Sequence, residues 1–188
     1  MPRGSRIDAP GALHHIMIRG IERRRIFRDD GDRGDFVERL EAAAKDGGMA
    51  CYAWALLPNH VHLLVRSGRI PLSLAMRRVL TGYAVRFNLR HRRQGHLFQN
   101  RYRSVLCQEE PYLLELVRYI HLNPERHGLV DDFRLWPYSS YGALRTDRPT
   151  RLRRDDVLAW FTDRQGFEEA HAQPLPDALL APLALEDF

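Results

Sequence analysis

The run "MACYAWALLPNHVHLLVRSG" at positions 49–68 constrains the fold more than any other stretch of the chain. Two apolar segments rich in strand formers, 49–58 and 60–68, meet at Pro58-Asn59. A link that short joins neighbouring antiparallel strands as a hairpin or makes one bent strand; parallel strands need a crossover of a dozen or more residues. Strand periodicity then sorts the side chains. Residues two apart share a face, so His60 and His62 project together while Val61, Leu63 and Val65 point to the opposite side, into a core.

The remaining pattern supplies partners for this hairpin. "ALHHIMIRG" (12–20) reads as a strand ending in glycine. Residues 29–48 have helical spacing at Phe36, Val37, Leu40 and Ala44, with Asp35 as an acidic first-turn residue and Gly47-Gly48 as a stop. Residues 71–93 form a long amphipathic helix with Pro71 near its start and Leu72, Ala75, Met76, Val79, Tyr83 and Phe87 as its apolar stripe. A strand at 102–108 follows, then a helix at 109–123 led by Glu109-Glu110-Pro111 and stopping near Asn123-Pro124. The order β-α-β-β-α-β-α predicts an α+β domain: an antiparallel sheet of ferredoxin-like character with helices packed on it. The division expected is a domain over 1–145 and an irregular or helical C-terminal extension over 146–188, with one short helix near 153–167 and a Pro-rich end.

At 188 residues, 44% hydrophobic and 28% charged, the chain can bury one proper core. No run approaches the roughly 18 apolar residues of a membrane span, and "MPRGSRIDAPG" lacks the apolar region of a signal peptide, so a cytoplasmic location is expected. Cys51 and Cys107 stand far apart, outside any CxxC spacing, and read as small buried apolar residues.

Charge narrows the partner. The net charge is +5, and of 29 basic residues only Lys45 is lysine. A GC-rich genome accounts for much of that arginine preference, but not for its clustering in "RGIERRR" (19–25) and "RFNLRHRRQGHLFQNRYR" (86–103). The second cluster interleaves Phe87, Phe98 and Tyr102 with its charges, a pattern suited to phosphates and stackable bases. Arg19, Arg23, Arg24, Arg25, Arg90, Arg92, Arg93, Arg101 and Arg103 are the candidate contacts, each also readable as a solvated surface charge. No arginine or lysine follows Arg164, where Glu168, Glu169, Asp177, Glu186 and Asp187 accumulate.

Two pieces carry chemistry. The His60/His62 pair is either a divalent-ion half-site or two half-buried structural histidines. In "RYIHLNP", Leu113, Leu116, Val117 and Ile120 form the buried stripe of the helix, and Tyr119 and Asn123 stack one turn apart beside it. Alone these are a boundary tyrosine and a capping asparagine. Together with His60 and His62, the Asn123 side-chain oxygen completes three ligands for Mg²⁺ or Mn²⁺, leaving positions for phosphate oxygens. Tyr119 is then the nucleophile. Tyr112 is a rival on the same helix face, but it sits in the first turn with no amide four residues on; His121 reads as structural.

"LLPNHVHLLV", "GHLFQNRYRSVL", "YLLELVRYIHLNPERHGLV" and "WPYSSYGAL" together resemble the single-tyrosine HUH transposases of the IS200-like type, nearest to their REP-associated branch, over roughly residues 12–145. The resemblance implies the HUH endonuclease fold, with His60, His62 and Asn123 as metal ligands, Tyr119 as nucleophile, and His96 and Gln99 near the DNA. It implies cleavage and rejoining of single-stranded DNA beside a REP-like hairpin, through a 5′-phosphotyrosine and a free 3′-OH. Relatives include both monomers and homodimers that exchange the tyrosine helix. Two other readings stand beside this one. A relaxase or rolling-circle nickase would carry a third ligand histidine; a ferredoxin-like nucleic-acid-binding module would have no chemistry. The acidic tail after Arg164 lies outside the matched motifs and is expected to lie over the basic groove and restrain activity.

Overall fold

A computed structural model describes residues 10–107 and 110–176. Four strands form one sheet: β1 (Leu13–Arg19), β2 (Met49–Leu56), β3 (His60–Ser67) and β4 (Arg103–Cys107). Their order is β2-β3-β1-β4 with every neighbouring pair antiparallel, the ferredoxin-like arrangement expected from the element order. Helices α1 (Asp30–Lys45) and α2 (Leu72–Arg90) cover one face, and α3 (Glu110–Arg126) packs on the other over β2 and β3. Short helices α4 (Tyr141–Arg145), α5 (Arg154–Trp160) and α6 (Arg164–His171) follow. Among the described residues no helix is long and apolar enough to cross a membrane.

Strand alternation divides the interior in two. Ile16, Ile18, Val61, Leu63 and Val65 enter a cluster with Phe36 and Leu40 of α1 and Met76, Val79, Tyr83 and Phe87 of α2. On the other face Ala53, Ala55 and Leu64 meet Leu116, Val117, Tyr119 and Ile120 of α3. The two alanines present little bulk, which lets α3 lie close to β2. Val157, Phe161 and Phe167 from α5 and α6 complete that second cluster. Segment 138–140 caps the outer edge of β2: Leu56 N–H donates to Tyr138 O and Ser140 N–H to Trp54 O, both at 2.8 Å. The conspicuous "WPYSSYGAL" stretch thus closes a sheet edge that would otherwise offer unpaired backbone groups.

Several boundaries differ from the sequence expectation for physical reasons. Asp29 caps α1 by accepting from Asp32 N–H at 3.0 Å, so the first turn carries Asp30 and Asp32, and Asp35 falls in the second. Helix α2 ends at Arg90, before a left-handed Arg92 (φ 50). The end of α3 moves furthest. It runs past Pro124 to Arg126, where Gly128 adopts φ +65, Leu129 N–H donates to Pro124 O at 2.9 Å and Gly128 N–H to Glu125 O at 2.8 Å. This pair of bonds is the Schellman stop, with glycine as its left-handed residue. The stop signal is therefore Gly128, not the proline. Residues 153–167 hold two helices instead of one: Thr162 turns at φ 76 and Asp163 caps α6 through Gly166 N–H at 2.8 Å. The first part of the acidic stretch is no loose tail, since Phe167 and His171 of α6 are buried; its remainder, 177–188, lies outside the described residues.

Candidate metal and nucleophile site

Register fixes what shares the face beneath α3. His60 lies opposite Arg19, His62 opposite Met17 and Ala55, and Leu64 opposite His15. Directly opposed residues in an antiparallel pair point the same way, so His15, His60, His62 and Arg19 line one surface of the sheet. Helix α3 delivers Tyr119 and Asn123 to it. The Tyr119 ring stands edge-on to His62 with centroids 5.6 Å apart and to His15 at 6.2 Å. The phenol named by the sequence is thus brought beside the imidazole pair, from the same chain. It is fully buried, at 0% exposure, and the Arg126 guanidinium lies 4.8 Å from its ring centre.

The polar atoms here are buried at a cost. His60 is 6% exposed and Asn123 0%. Neither His60 Nε2 nor either end of the Asn123 carboxamide has a hydrogen-bond partner among the described residues. Burial without a partner costs on the order of 1–3 kcal/mol per group, a cost that a bound ion would offset. Burial first, then the nearby His127 and Arg19, push the His60 imidazole down to about 3; the Asn123 amide opposes this, through a contact short of hydrogen-bond geometry. His62 is held well below its ordinary value, first by burial and then by the adjacent histidines. Both rings are neutral at physiological pH, the form that ligates a metal. Two imidazoles and an amide oxygen, with no thiolate, suit a hard or borderline ion such as Mg²⁺ or Mn²⁺, so the donor set fits.

Four participants escaped the sequence reading. His15 Nε2 and His62 Nδ1 are 3.0 Å apart; His127, exposed just past α3, sets its ring 4.8 Å from His60; Asn59 Oδ1 bonds His60 Nδ1 at 2.7 Å; and Arg126 covers the phenol. His15 was visible as an alternate residue of β1, but only the β1–β3 register shows which face it joins. His127 is placed by the Schellman turn.

The candidate DNA contacts separate into groups. Arg23, Arg24 and Arg25 are exposed on the arm after β1, where Glu22 and Arg23 take left-handed φ of 53 and 56. Gly20 starts that arm because a Cβ there would meet Arg24 O at 2.1 Å. Arg101 and Arg103 are exposed, Arg103 on β4 opposite Met17 and so on the face of His62. His96, Gln99 and Arg101 line a groove of about 810 Å³ with Arg77, Asn88 and Phe98. Its loop is tied to β1, since Gln99 N–H donates to Arg19 O at 2.9 Å. Arg92 is exposed at the end of α2. Arg93 is engaged within the loop, donating to Asn88 Oδ1 at 3.1 Å and His96 O at 2.6 Å. Arg90 is engaged by Asp29 and Asp32 at 2.6 and 2.5 Å. Those carboxylates and His91 form the one cluster of His, Cys, Asp or Glu among the described residues with metal-ligand spacing. The Arg90 guanidinium already supplies its cation.

A ferredoxin-like sheet with a paired-histidine strand facing a tyrosine helix defines a class of fold and site. The comparisons give it a family. The model for the IS200-like transposases matches residues 10–123, and the chain belongs to that family. A Haemophilus influenzae protein described as a REP-associated tyrosine transposase is 30% identical over 100 residues, 47% of this chain and 57% of the relative, so the match spans little more than half of that protein. The structure of a REP-associated tyrosine transposase bound to a REP hairpin superposes with a TM-score of 0.64 at 19% identity, covering 76% of this chain and 84% of that one. This likeness establishes the shared fold. A Deinococcus radiodurans structure described as a transposase aligns at 0.44 and 17% identity, over 59% of this chain and 90% of that one, too loosely to carry weight.

Proposed function

We propose that the protein is a metal-dependent strand transferase that cuts and rejoins single-stranded DNA beside REP-like hairpins. One observation carries the reading: Tyr119, Asn123, His60 and His62 converge beneath α3, with His60 Nε2 and the Asn123 amide buried and unpartnered. The Tyr119 phenol attacks a backbone phosphorus. A P–Oη bond forms, the P–O3′ bond breaks, and the phenol's proton is in net terms transferred to the departing 3′ oxygen. The product is a 5′-phosphotyrosine, whose bond is spent when another 3′-OH attacks it, so no nucleotide triphosphate is consumed. Mg²⁺ or Mn²⁺ held by His60, His62 and Asn123 supplies Lewis-acid polarisation of the phosphate when bound. Arg126 lies over the phenol, so DNA entry requires it to swing away; it is exposed and free to pair with phosphate. Arg23, Arg24, Arg25, Arg101 and Arg103 hold the backbone, and the His96–Gln99 groove receives unpaired bases.

The test is incubation with hairpin-flanked single-stranded DNA and Mn²⁺, followed by a denaturing gel. Wild type should yield a covalent protein–DNA adduct and Tyr119→Phe none, with hairpin affinity retained. An undiminished adduct in Tyr119→Phe refutes the nucleophile. Tight binding with no cleavage by wild type in Mn²⁺, or in Mg²⁺ used in its place, favours the binding-module reading, consistent with a phenol buried at rest.

A further inference from the structure

The two candidate ligand rings each use Nδ1 on a neighbour that lies outside the ligand set. Asn59 Oδ1 is 2.7 Å from His60 Nδ1. The orientation of that amide is not arbitrary, because Asn59 Nδ2 donates to Arg23 O at 3.1 Å and so turns Oδ1 toward the ring. A carboxamide oxygen only accepts, so His60 must carry its proton on Nδ1 and keep its lone pair on Nε2. His62 Nδ1 meets His15 Nε2 at 3.0 Å, with both residues buried, at 1% and 0% exposure, and their rings stacked at 5.2 Å. One of that pair donates. If His62 donates, its Nε2 also keeps a lone pair.

Resting on the metal reading above, we propose that Asn59 and His15 are positioning residues that lock His60 and His62 as Nδ1–H tautomers, each presenting Nε2 to the ion. A neutral imidazole with its proton on Nε2 could not ligate through that atom, and the hydrogen bond made by the other nitrogen decides which tautomer exists. The lock explains why asparagine precedes the first histidine in "PNHVH". It also gives the turn 21–23 a task, since the Arg23 carbonyl that orients Asn59 belongs to a left-handed residue.

The test reads the tautomer directly, without metal. Full-length protein labelled with ¹⁵N-histidine is examined by long-range ¹H–¹⁵N correlation near neutral pH. Wild type should show Nδ1–H tautomers at both His60 and His62. Asn59→Ala should disturb His60 alone and His15→Phe should disturb His62 alone. Asn59→Asp and His15→Gln keep an acceptor and should preserve the wild-type tautomers. In calorimetry with Mn²⁺ the Ala and Phe variants should lose about 10–100-fold in affinity, with the conservative pair much less affected. Wild-type rings protonated on Nε2, or tautomers indifferent to Asn59→Ala and His15→Phe, would overturn the lock even if Mn²⁺ binds. Tautomers as stated, with no His60-dependent Mn²⁺ binding, uphold the lock and sink the metal reading instead.

Discussion

Two histidine pairs are buried on the α3 side of the sheet, and they are finished differently. In the first, His171 Nδ1–H donates to Phe167 O at 2.7 Å, which forces His171 Nε2 to accept from His121 Nδ1–H at 2.9 Å. His121 Nε2 then accepts from the Ser140 hydroxyl at 2.8 Å, and Ser140 Oγ accepts from Trp54 N–H at 2.9 Å. Every nitrogen is used, and the chain ties α6, α3 and the β2 edge together. In the second, His15 and His62 are also bonded to each other, but the neighbouring His60 Nε2 and the Asn123 carboxamide are left without partners among the described residues. The first network is closed within the protein; the second leaves buried polar atoms open. Residue type does not distinguish the pairs, but bond accounting does.

The contrast is broken most severely by exchanging its members' expected defects. His60→Ala should lower metal-dependent cleavage about 10²–10³-fold, roughly 2.7–4 kcal/mol of barrier, while the unfolding midpoint without metal falls less than in His121→Ala, because Nε2 had no partner and only the Asn59 bond is lost. His121→Ala should do the reverse. It strands His171 Nε2 and Ser140 and leaves a cavity, costing on the order of 2–4 kcal/mol in urea unfolding, while the folded fraction still cleaves. Equal stability losses for the two variants would remove the distinction.

Saturating Mn²⁺ should sharpen it. With free ion at about 100 times its dissociation constant, binding to the folded state adds about 2.7 kcal/mol. Wild type and His121→Ala should both gain that increment in thermal unfolding, and His60→Ala should not. A gain in His60→Ala would mean that the ion binds elsewhere.

Acid loads both pairs, since His60 and His62 are also held low, and a variant isolates the closed pair's share. Burial drops His171 to about 4 and holds His121 well below its ordinary value, while the unfolded chain titrates near about 6.5. Because the folded values are the lower ones, the unfolded state binds more protons below about 6.5. The stabilisation is complete above that pH and is lost as pH falls toward about 4, at up to about 1.4 kcal/mol per pH unit for each imidazole. Urea midpoints measured across that window should fall in wild type, and less steeply in His171→Phe, where one titrating group is gone. A wild-type midpoint unchanged down to about pH 5 would mean that the closed network accommodates a proton.

The sheet, its helices and the two local pairings, His60 with His62 and Tyr119 with Asn123, were legible because they rest on local periodicity: two in β3, four in α3. What stayed hidden depends on pairing. Nothing near His15 says that β1 pairs with β3 so as to set His15 diagonal to His62, and nothing in "NPERHG" outweighs the proline until Gly128 is seen to close a Schellman turn. Arginine clustering found the basic surface but not its internal uses, since the partners of Arg90, Asp29 and Asp32, lie about 60 residues away in sequence. Side chains spent on long-range ion pairs and those left for a ligand look the same in one dimension.

The smallest effect concerns how the open pair is held. Gly128 takes φ +65 with nothing within 4 Å of a would-be Cβ, so substitution there meets backbone strain and no clash. Gly128→Ala should cost about 1 kcal/mol, and Gly128→Asn less, because asparagine tolerates the left-handed region. The Schellman turn, 124–129, follows Asn123 and contains His127, whose ring faces His60. Histidine chemical shifts of His60 and His127 should therefore move in both variants while those of His121 and His171 stay fixed. Shifts moving at both pairs would mean that α3 relays strain along its length, and that the closed network and the open site are one cooperative unit.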